Sequence, residues 1–215
     1  MAKRPAQRAP STQVIMTALN KSEEIPPAIK EIKGSLYAPK ILVAIGKGVD
    51  QTSQIIKTLG AKIVFQDDHT KTNTPPEEIK ISDRAADYVV IIDADFTYPA
   101  SLIPNMIRIL ERTPIVGMVC GKGFADASPS RFLNGMSHVD DKSVTLIHSF
   151  LDGAQLIDPL TGLRVMRASA LKGWRVKSRG FGMEIELDYR VEWEGFGIVE
   201  VPVSYRGQMA RKNQS

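Results

Sequence analysis

A single cysteine, Cys120, occurs in 215 residues. No internal disulfide can brace the fold, and this usage suits a reducing compartment. No apolar run approaches the roughly 18–20 residues that a bilayer-crossing helix needs. The opening residues, MAKRPAQRAPS, lack the hydrophobic core of a secretory signal. The expectation is a soluble, cytoplasmic chain whose hold on a membrane, if any, is peripheral. Charge of one sign is also scarce. The net is +4, which suits anionic ligands such as phosphates or lipid head groups. Without a basic helix interleaved with aromatics, it is too small to point to nucleic acid. The three histidines, His69, His138 and His148, show no metal-ligand spacing and read as structural or solvated.

What remains is an ordinary globular composition, 43% hydrophobic and 24% charged, long enough to bury one large core. Residues 1–11 are polar and basic and read as a disordered arm, and 207–215 as a flexible basic tail. Between them, 12–206 reads as one domain. TQVIMTAL (12–19) has strand length, and Asn20-Lys21-Ser22 carries turn and N-cap chemistry. A helix is predicted over 23–33 from Ile25, Ile29 and Ile32. KILVAI (40–45) is a second strand. A helix from Asp50 to Leu59 is closed by Gly60, and AKIVF (61–65) follows as a third strand. Strand–helix–strand–helix–strand in the first third predicts parallel βαβ units. Beyond a polar loop (67–76) and a helix over 77–86, YVVII (88–92) is a continuous apolar strand of the kind buried on both faces. Later elements are a helix from Pro99 to Leu110, a strand at 116–120, a helix from Asp140, and a strand at 162–166. An amphipathic helix over 182–194 and a last strand over 198–205 complete the pattern.

Asp93 and Asp95 leave the end of YVVII. Ligands of open α/β sheets bind outside the carboxyl ends of the strands. Two carboxylates one residue apart in such a turn can approach one cation from the same side. Hard oxygen donors suit Mg2+ or Mn2+, which would also hold a diphosphate and ease departure of a nucleoside diphosphate. The blander alternative is that they cap the following helix.

VVIIDADFTYPASLIPNMI resembles the metal-binding segment of family 2 glycosyltransferases, above all the dolichyl-phosphate mannose synthase and dolichyl-phosphate glucosyltransferase group. The likeness continues in order. VIMTALNKSEEI resembles the opening strand and turn beneath the nucleotide. IDPLTGLRVMR resembles the aspartate–(Ser/Thr)-Gly–arginine stretch. GFGMEIELDYRVEWEGFGIVEVPVSYRG resembles the late glutamate helix and its E-V-P-V-x-Y strand. The resemblance implies a GT-A fold, a Rossmann-like, mixed but mostly parallel sheet flanked by helices. It also implies inversion at the anomeric carbon, a divalent metal, and a donor such as GDP-mannose or UDP-glucose. For the closest group it implies a polyprenyl-phosphate acceptor on the cytosolic membrane face, with a possible membrane-anchoring partner. Carried onto this chain, it puts Asp93 and Asp95 on the metal. Ala18, Asn20, Asp50 and Ala94 join them on the nucleotide. The chain departs from the pattern at Lys21, at Ile45-Gly46 and at Thr97, mainly where the family recognises base and ribose.

An anionic acceptor needs no strong general base, but it does need cations, and arginine holds phosphate bidentately. Arg131 and Arg164 are the candidate phosphate clamps, with Arg206 at the basic end. The alternative for Arg164 is a loop-supporting pair with Asp158. Glu184 and Glu186 point to different helix faces, and Glu184 is favoured as the catalytic carboxylate, beside Asp95 and Arg164. Trp193 is expected to pack and Trp174, among Lys172, Arg175 and Lys177, to face lipid. Two other classes stay open. A nucleotidyltransferase would show a Gly-rich basic signature after the first strand, and TALNKSEEI lacks one. A non-catalytic partner subunit is favoured by the departures at Lys21 and Ile45-Gly46.

Overall fold

The structure, a computed structural model, describes residues 8–18, 23–46, 50–66, 86–124, 161–174, 182–204 and 206. Strand β1 (Thr12–Ala18) leads to helix α1 (Ile25–Ser35), β2 (Lys40–Gly46), α2 (Asp50–Thr58) and β3 (Lys62–Gln66). Then come β4 (Tyr88–Asp93), a 3-10 turn (Ala100–Leu102), α3 (Ile103–Arg112) and β5 (Val116–Phe124). The described chain resumes at β6 (Leu163–Arg167), followed by a second 3-10 turn (Ala168–Leu171), α4 (Gly182–Trp193) and β7 (Gly197–Ser204). The helices expected over 77–86 and from Asp140 lie outside the described residues.

These seven strands form one sheet in the order β3-β2-β1-β4-β6-β5-β7. β1 is parallel to both β2 and β4, and β2 to β3. That is the predicted βαβ arrangement. The strand expected at 162–166 forms, one residue later, but it runs antiparallel to both β4 and β5. The sheet is therefore mixed, as the GT-A resemblance implied.

Side-chain alternation divides the core between the two faces of the sheet. Val14, Met16, Val90, Ile92 and Val165 point to one face, where Ile25, Ile29 and Ile32 of α1 and Ile103, Met106 and Leu110 of α3 cover them. Ile15, Val89, Ile91, Met118 and Met166 point to the other, beneath Met183, Leu187 and Val191 of α4. Burial on both faces explains why YVVII is apolar throughout, since neither parity of residue meets water. α1 and α3 bury residues at i, i+3, i+4 and i+7, and each opens with proline at N1 or N2, where the missing N–H costs nothing. Gly60 closes α2 as predicted. At φ +69° it donates to the Lys57 carbonyl at 2.8 Å, while Ala61 donates to that of Ile56 at 3.2 Å, the paired bonds of a Schellman cap.

α4 corrects two expectations. Its apolar residues do not share one side: Met183, Leu187 and Val191 are buried, whereas Ile185, Tyr189 and Trp193 line an exposed stripe. Trp193, expected to pack, is 70% exposed and stacks on Tyr189 with ring centroids 6.0 Å apart. Trp174, expected at a lipid surface, instead packs against the second core cluster. Its indole N–H donates to Glu186 Oε1 at 2.9 Å. The exposure of Trp193 follows from periodicity: 185, 189 and 193 share a stripe opposite 183, 187 and 191, and only one stripe can meet the sheet.

Candidate active site

The chain crosses from the β2–β3 side of β1 to its other side at β4. The crevice between the carboxyl ends of β1 and β4 is thus the switch point where open α/β sheets bind ligands. Asp93 ends β4 there, in register with Thr17 of β1. Thr17 donates its hydroxyl to Asp93 Oδ1 at 2.8 Å. From the other flank, Asp93 donates its backbone N–H to the Gly162 carbonyl at 3.1 Å. Gly162 in turn donates to the Tyr98 hydroxyl at 2.9 Å. A small cavity of about 20 Å³, room for about one water, is lined by Thr17, Asp93, Thr161, Arg164 and Glu184 among others.

The turn after β4 is tightly specified. Ala94, fully buried, donates to the Thr17 carbonyl at 3.0 Å. Thr97 donates its N–H to Asp95 Oδ1 at 3.0 Å, an Asx-type bond that orients this carboxylate. Between them Phe96 has φ +59°, a left-handed conformation that costs a non-glycine residue about 1–2 kcal/mol. Such strain persists only where surrounding contacts over-determine it. The two carboxylates are hard oxygen donors, each oriented by a donor of its own, at a sheet edge. That donor set fits Mg2+ or Mn2+ held by two carboxylates, with water and phosphate oxygens completing the shell. Among the described residues no group of three or more His, Cys, Asp or Glu side chains could hold a metal.

Arg164 lies on β6 opposite Ile91 of β4, and its side chain is 1% exposed. Its Nη1 is bonded to Asp188 Oδ1 of α4, and its Nε donates to the Thr161 carbonyl at 3.4 Å. The sulfur atoms of Met118 and Cys120 lie 3.9 Å from Nη1. Burial pushes the Asp188 carboxyl up to about 6, against the opposing pull of Arg164. Glu184 stands one helical turn before Asp188, on the same side of α4. Its Oε2 is buried and accepts no hydrogen bond among the described residues.

The structure therefore gathers Asp93, Arg164 and Glu184 around one cleft, with Asp95 in the adjoining turn. Ala18 ends β1 and is buried. Asp50 is the first residue of α2. Asn20, Lys21, Arg131 and Asp158 lie outside the described residues. Arg206 meets the turn that carries Asp95. It forms a two-pronged pair with Glu31 of α1 at 2.7 and 2.5 Å, and its guanidinium covers the Phe96 ring at 3.9 Å. Sequence reasoning missed Thr17, Gly162, Asp188 and Glu31. Thr17 and Asp188 carried a signal, through strand-end position and the i+4 spacing from Glu184. Glu31 reaches Arg206 across 175 positions and carried none.

A mixed sheet of this order, with an Asp-Ala-Asp turn at the switch point, is the GT-A architecture of glycosyltransferases. No family model matches the chain. It is 27% identical over 192 residues to glycosyltransferase AglJ of Haloferax volcanii, which covers 89% of this chain and 62% of that protein. It is 24% identical over 201 residues to a dolichyl-phosphate hexose transferase of the same organism, covering 90% of this chain and 82% of that one. The chain thus spans less than two thirds of the length of AglJ. Glucosyl-3-phosphoglycerate synthase from Mycobacterium tuberculosis, in complex with Mn2+, UDP-glucose and phosphoglyceric acid, superposes with a TM-score of 0.61. Its identity is 19%, over 94% of this chain and 73% of that one. Another structure of that enzyme holds Mg2+ and UDP. The resemblance to family 2 glycosyltransferases read from the sequence is borne out by these relatives and by the fold.

Proposed function

We propose that this chain is an inverting hexosyltransferase that moves mannose or glucose from a nucleoside-diphosphate sugar to a polyprenyl phosphate of the dolichyl type. The observation that carries the reading is the pair Asp93 and Asp95 at the β1–β4 switch point, one carboxylate fixed by Thr17 and the other by Thr97. Two relatives named as a glycosyltransferase and a dolichyl-phosphate hexose transferase support the reaction class and the acceptor. The metal-and-UDP complexes of the fold neighbour support a nucleotide donor.

In this reading Asp93 and Asp95 hold Mg2+ or Mn2+, which supplies Lewis-acid neutralisation of the departing nucleoside diphosphate. Ala18, Asn20, Asp50 and Ala94 line the nucleotide. The acceptor phosphate is already an anion, so the chain needs to orient it rather than deprotonate it. Arg164 contributes positive charge from the cleft floor, with Arg131 as a second phosphate contact. Glu184 faces the same space and holds the sugar or the acceptor in line. The catalytic domain is 12–206, flanked by the basic segments 1–11 and 207–215. In this reading the hold on the cytosolic face of a lipid surface is peripheral or through a membrane-anchoring partner; no described helix is long and apolar enough to cross a membrane.

Calorimetric titration with GDP-mannose, UDP-glucose and UDP-N-acetylglucosamine tests this, each with Mn2+, with chelator, and against Asp95→Ala. Metal-dependent binding of one donor, lost in the variant, is expected. A folded protein that binds none of them would point instead to a partner subunit that has lost donor recognition.

A further inference from the structure

Arg206, expected over a phosphate, has its guanidinium on Glu31 and the Phe96 ring. We propose that Arg206 is a positioning residue for the turn that carries Asp95, clamping Phe96 in its left-handed conformation from a support on Glu31. The inference rests on the reading of Asp93 and Asp95 as metal-holding, and assigns a role to residues outside that pair.

Four contacts make one chain. Glu31 on α1 takes both prongs of the Arg206 guanidinium, Nη1 to Oε2 at 2.7 Å and Nη2 to Oε1 at 2.5 Å. This fork-to-fork pair fixes the plane of the group as well as its place. That plane lies over the Phe96 ring, 3.9 Å from its centroid, within cation–π range. The backbone N–H of Arg206 donates to the Thr97 carbonyl at 2.9 Å, so the same residue grips two consecutive positions of the turn. Thr97 then donates its own N–H to Asp95 Oδ1 at 3.0 Å. Phe96, at φ +59°, is the strained link of the chain. An aromatic residue there relaxes toward negative φ unless something holds it. Relaxation would swing Thr97 and release the Asp95 carboxylate. Only arginine supplies both the fork and the flat stacking surface, so lysine at 206 keeps the charge and loses the clamp.

The test is Mn2+ binding, followed by electron paramagnetic resonance with and without UDP, together with the melting temperature of each variant. Arg206→Ala and Arg206→Lys are expected to weaken Mn2+ binding about tenfold, equivalent to about 1.4 kcal/mol. Glu31→Gln is expected to follow in the same direction. Phe96→Gly added to Arg206→Ala should restore most of the lost affinity, because glycine adopts the left-handed conformation without strain. A loss of fold stability alone would lower the melting temperature without moving the Mn2+ affinity of the folded protein, and that result overturns the inference. So does unchanged affinity for Mn2+ alone with weakened affinity for UDP, which would make Arg206 a direct phosphate contact. A wild-type protein that binds no Mn2+ even with UDP removes the metal reading itself, and is told apart from the other outcomes because no variant is needed to see it.

Discussion

Gly162 lies so close to the Asp93 carboxylate that a Cβ added at the glycine would stand 1.9 Å from Oδ2. The same Cβ would meet Tyr98 Cε2 at 2.9 Å. Position 162 is thus glycine for reasons of space: the residue just before β6 forms one wall against the carboxylate, and that wall has no room for a side chain. Gly162→Ala is expected to push Asp93 off its bond with Thr17. Overpacking of this kind costs about 1–3 kcal/mol. Mn2+ affinity should fall well beyond what that loss of stability implies. A folded Gly162→Ala protein with wild-type Mn2+ affinity would show that the carboxylate has room to move.

The Arg164–Asp188 pair makes a different prediction. Removing one member of a buried pair strands the other charge and costs about 3–5 kcal/mol, whereas replacing both by apolar residues of similar volume is often neutral. Arg164→Met alone should lower stability by that amount, and Arg164→Met with Asp188→Leu should recover most of it. Turnover should stay low in both, because the cleft floor has lost its cation. Chemical denaturation and an activity assay on the same three proteins check this. Recovered turnover in the double variant would reduce the pair to packing.

Asp188 also sets a pH dependence. Burial, the larger cause, pushes its carboxyl from the ordinary aspartate range up to about 6 in the folded chain. The native state therefore holds this proton more tightly than the unfolded chain. The stability this contributes is complete below about pH 4 and is lost as pH rises through about 6. Relative to Asp188→Asn, the wild-type protein should lose ground between about pH 4 and 6 and level off above. Melting temperatures of the two proteins across that range are the measurement, and parallel curves would contradict the assignment.

On α4, the buried and the exposed stripe should respond differently. Trp193→Ser or Tyr189→Ser removes an exposed ring and is expected to change stability by no more than about 0.5 kcal/mol. Leu187→Ala, at a wholly buried position, should cost about 2–5 kcal/mol. A large loss at Trp193 would mean that this stripe is covered in solution.

Much of the fold was legible because periodicity reports burial directly. The unbroken YVVII run, the i, i+3, i+4 spacing of α1 and the glycine closing α2 each depend on neighbours within one element. Asp93 and Asp95 were legible for the same reason, since a strand end is a local property. The direction of β6 was not, because LRVMR packs equally well as a parallel or an antiparallel strand, and hydrogen-bonding partners decide which. Trp193 misled for a related reason. In α4 both stripes are apolar, so composition could not say which one meets the sheet. Arg164 was read as reaching for a ligand or pairing with Asp158, and its partner in the fold, Asp188, 24 positions on, could not be read from the sequence. Arg206 and Glu31 met only through the tertiary fold.

Cys120 is the sole thiol of the chain, fully buried on β5 within 3.9 Å of the Arg164 guanidinium. A thiol reagent can reach it only when the layer between α4 and the sheet parts. The protein thus carries a native clock for the opening of its own cleft floor. Every labelling event reports one site, with no other cysteine to confuse the count. A ligand that tightens the cleft slows that clock, so occupancy can be timed without any assay for the sugar transferred.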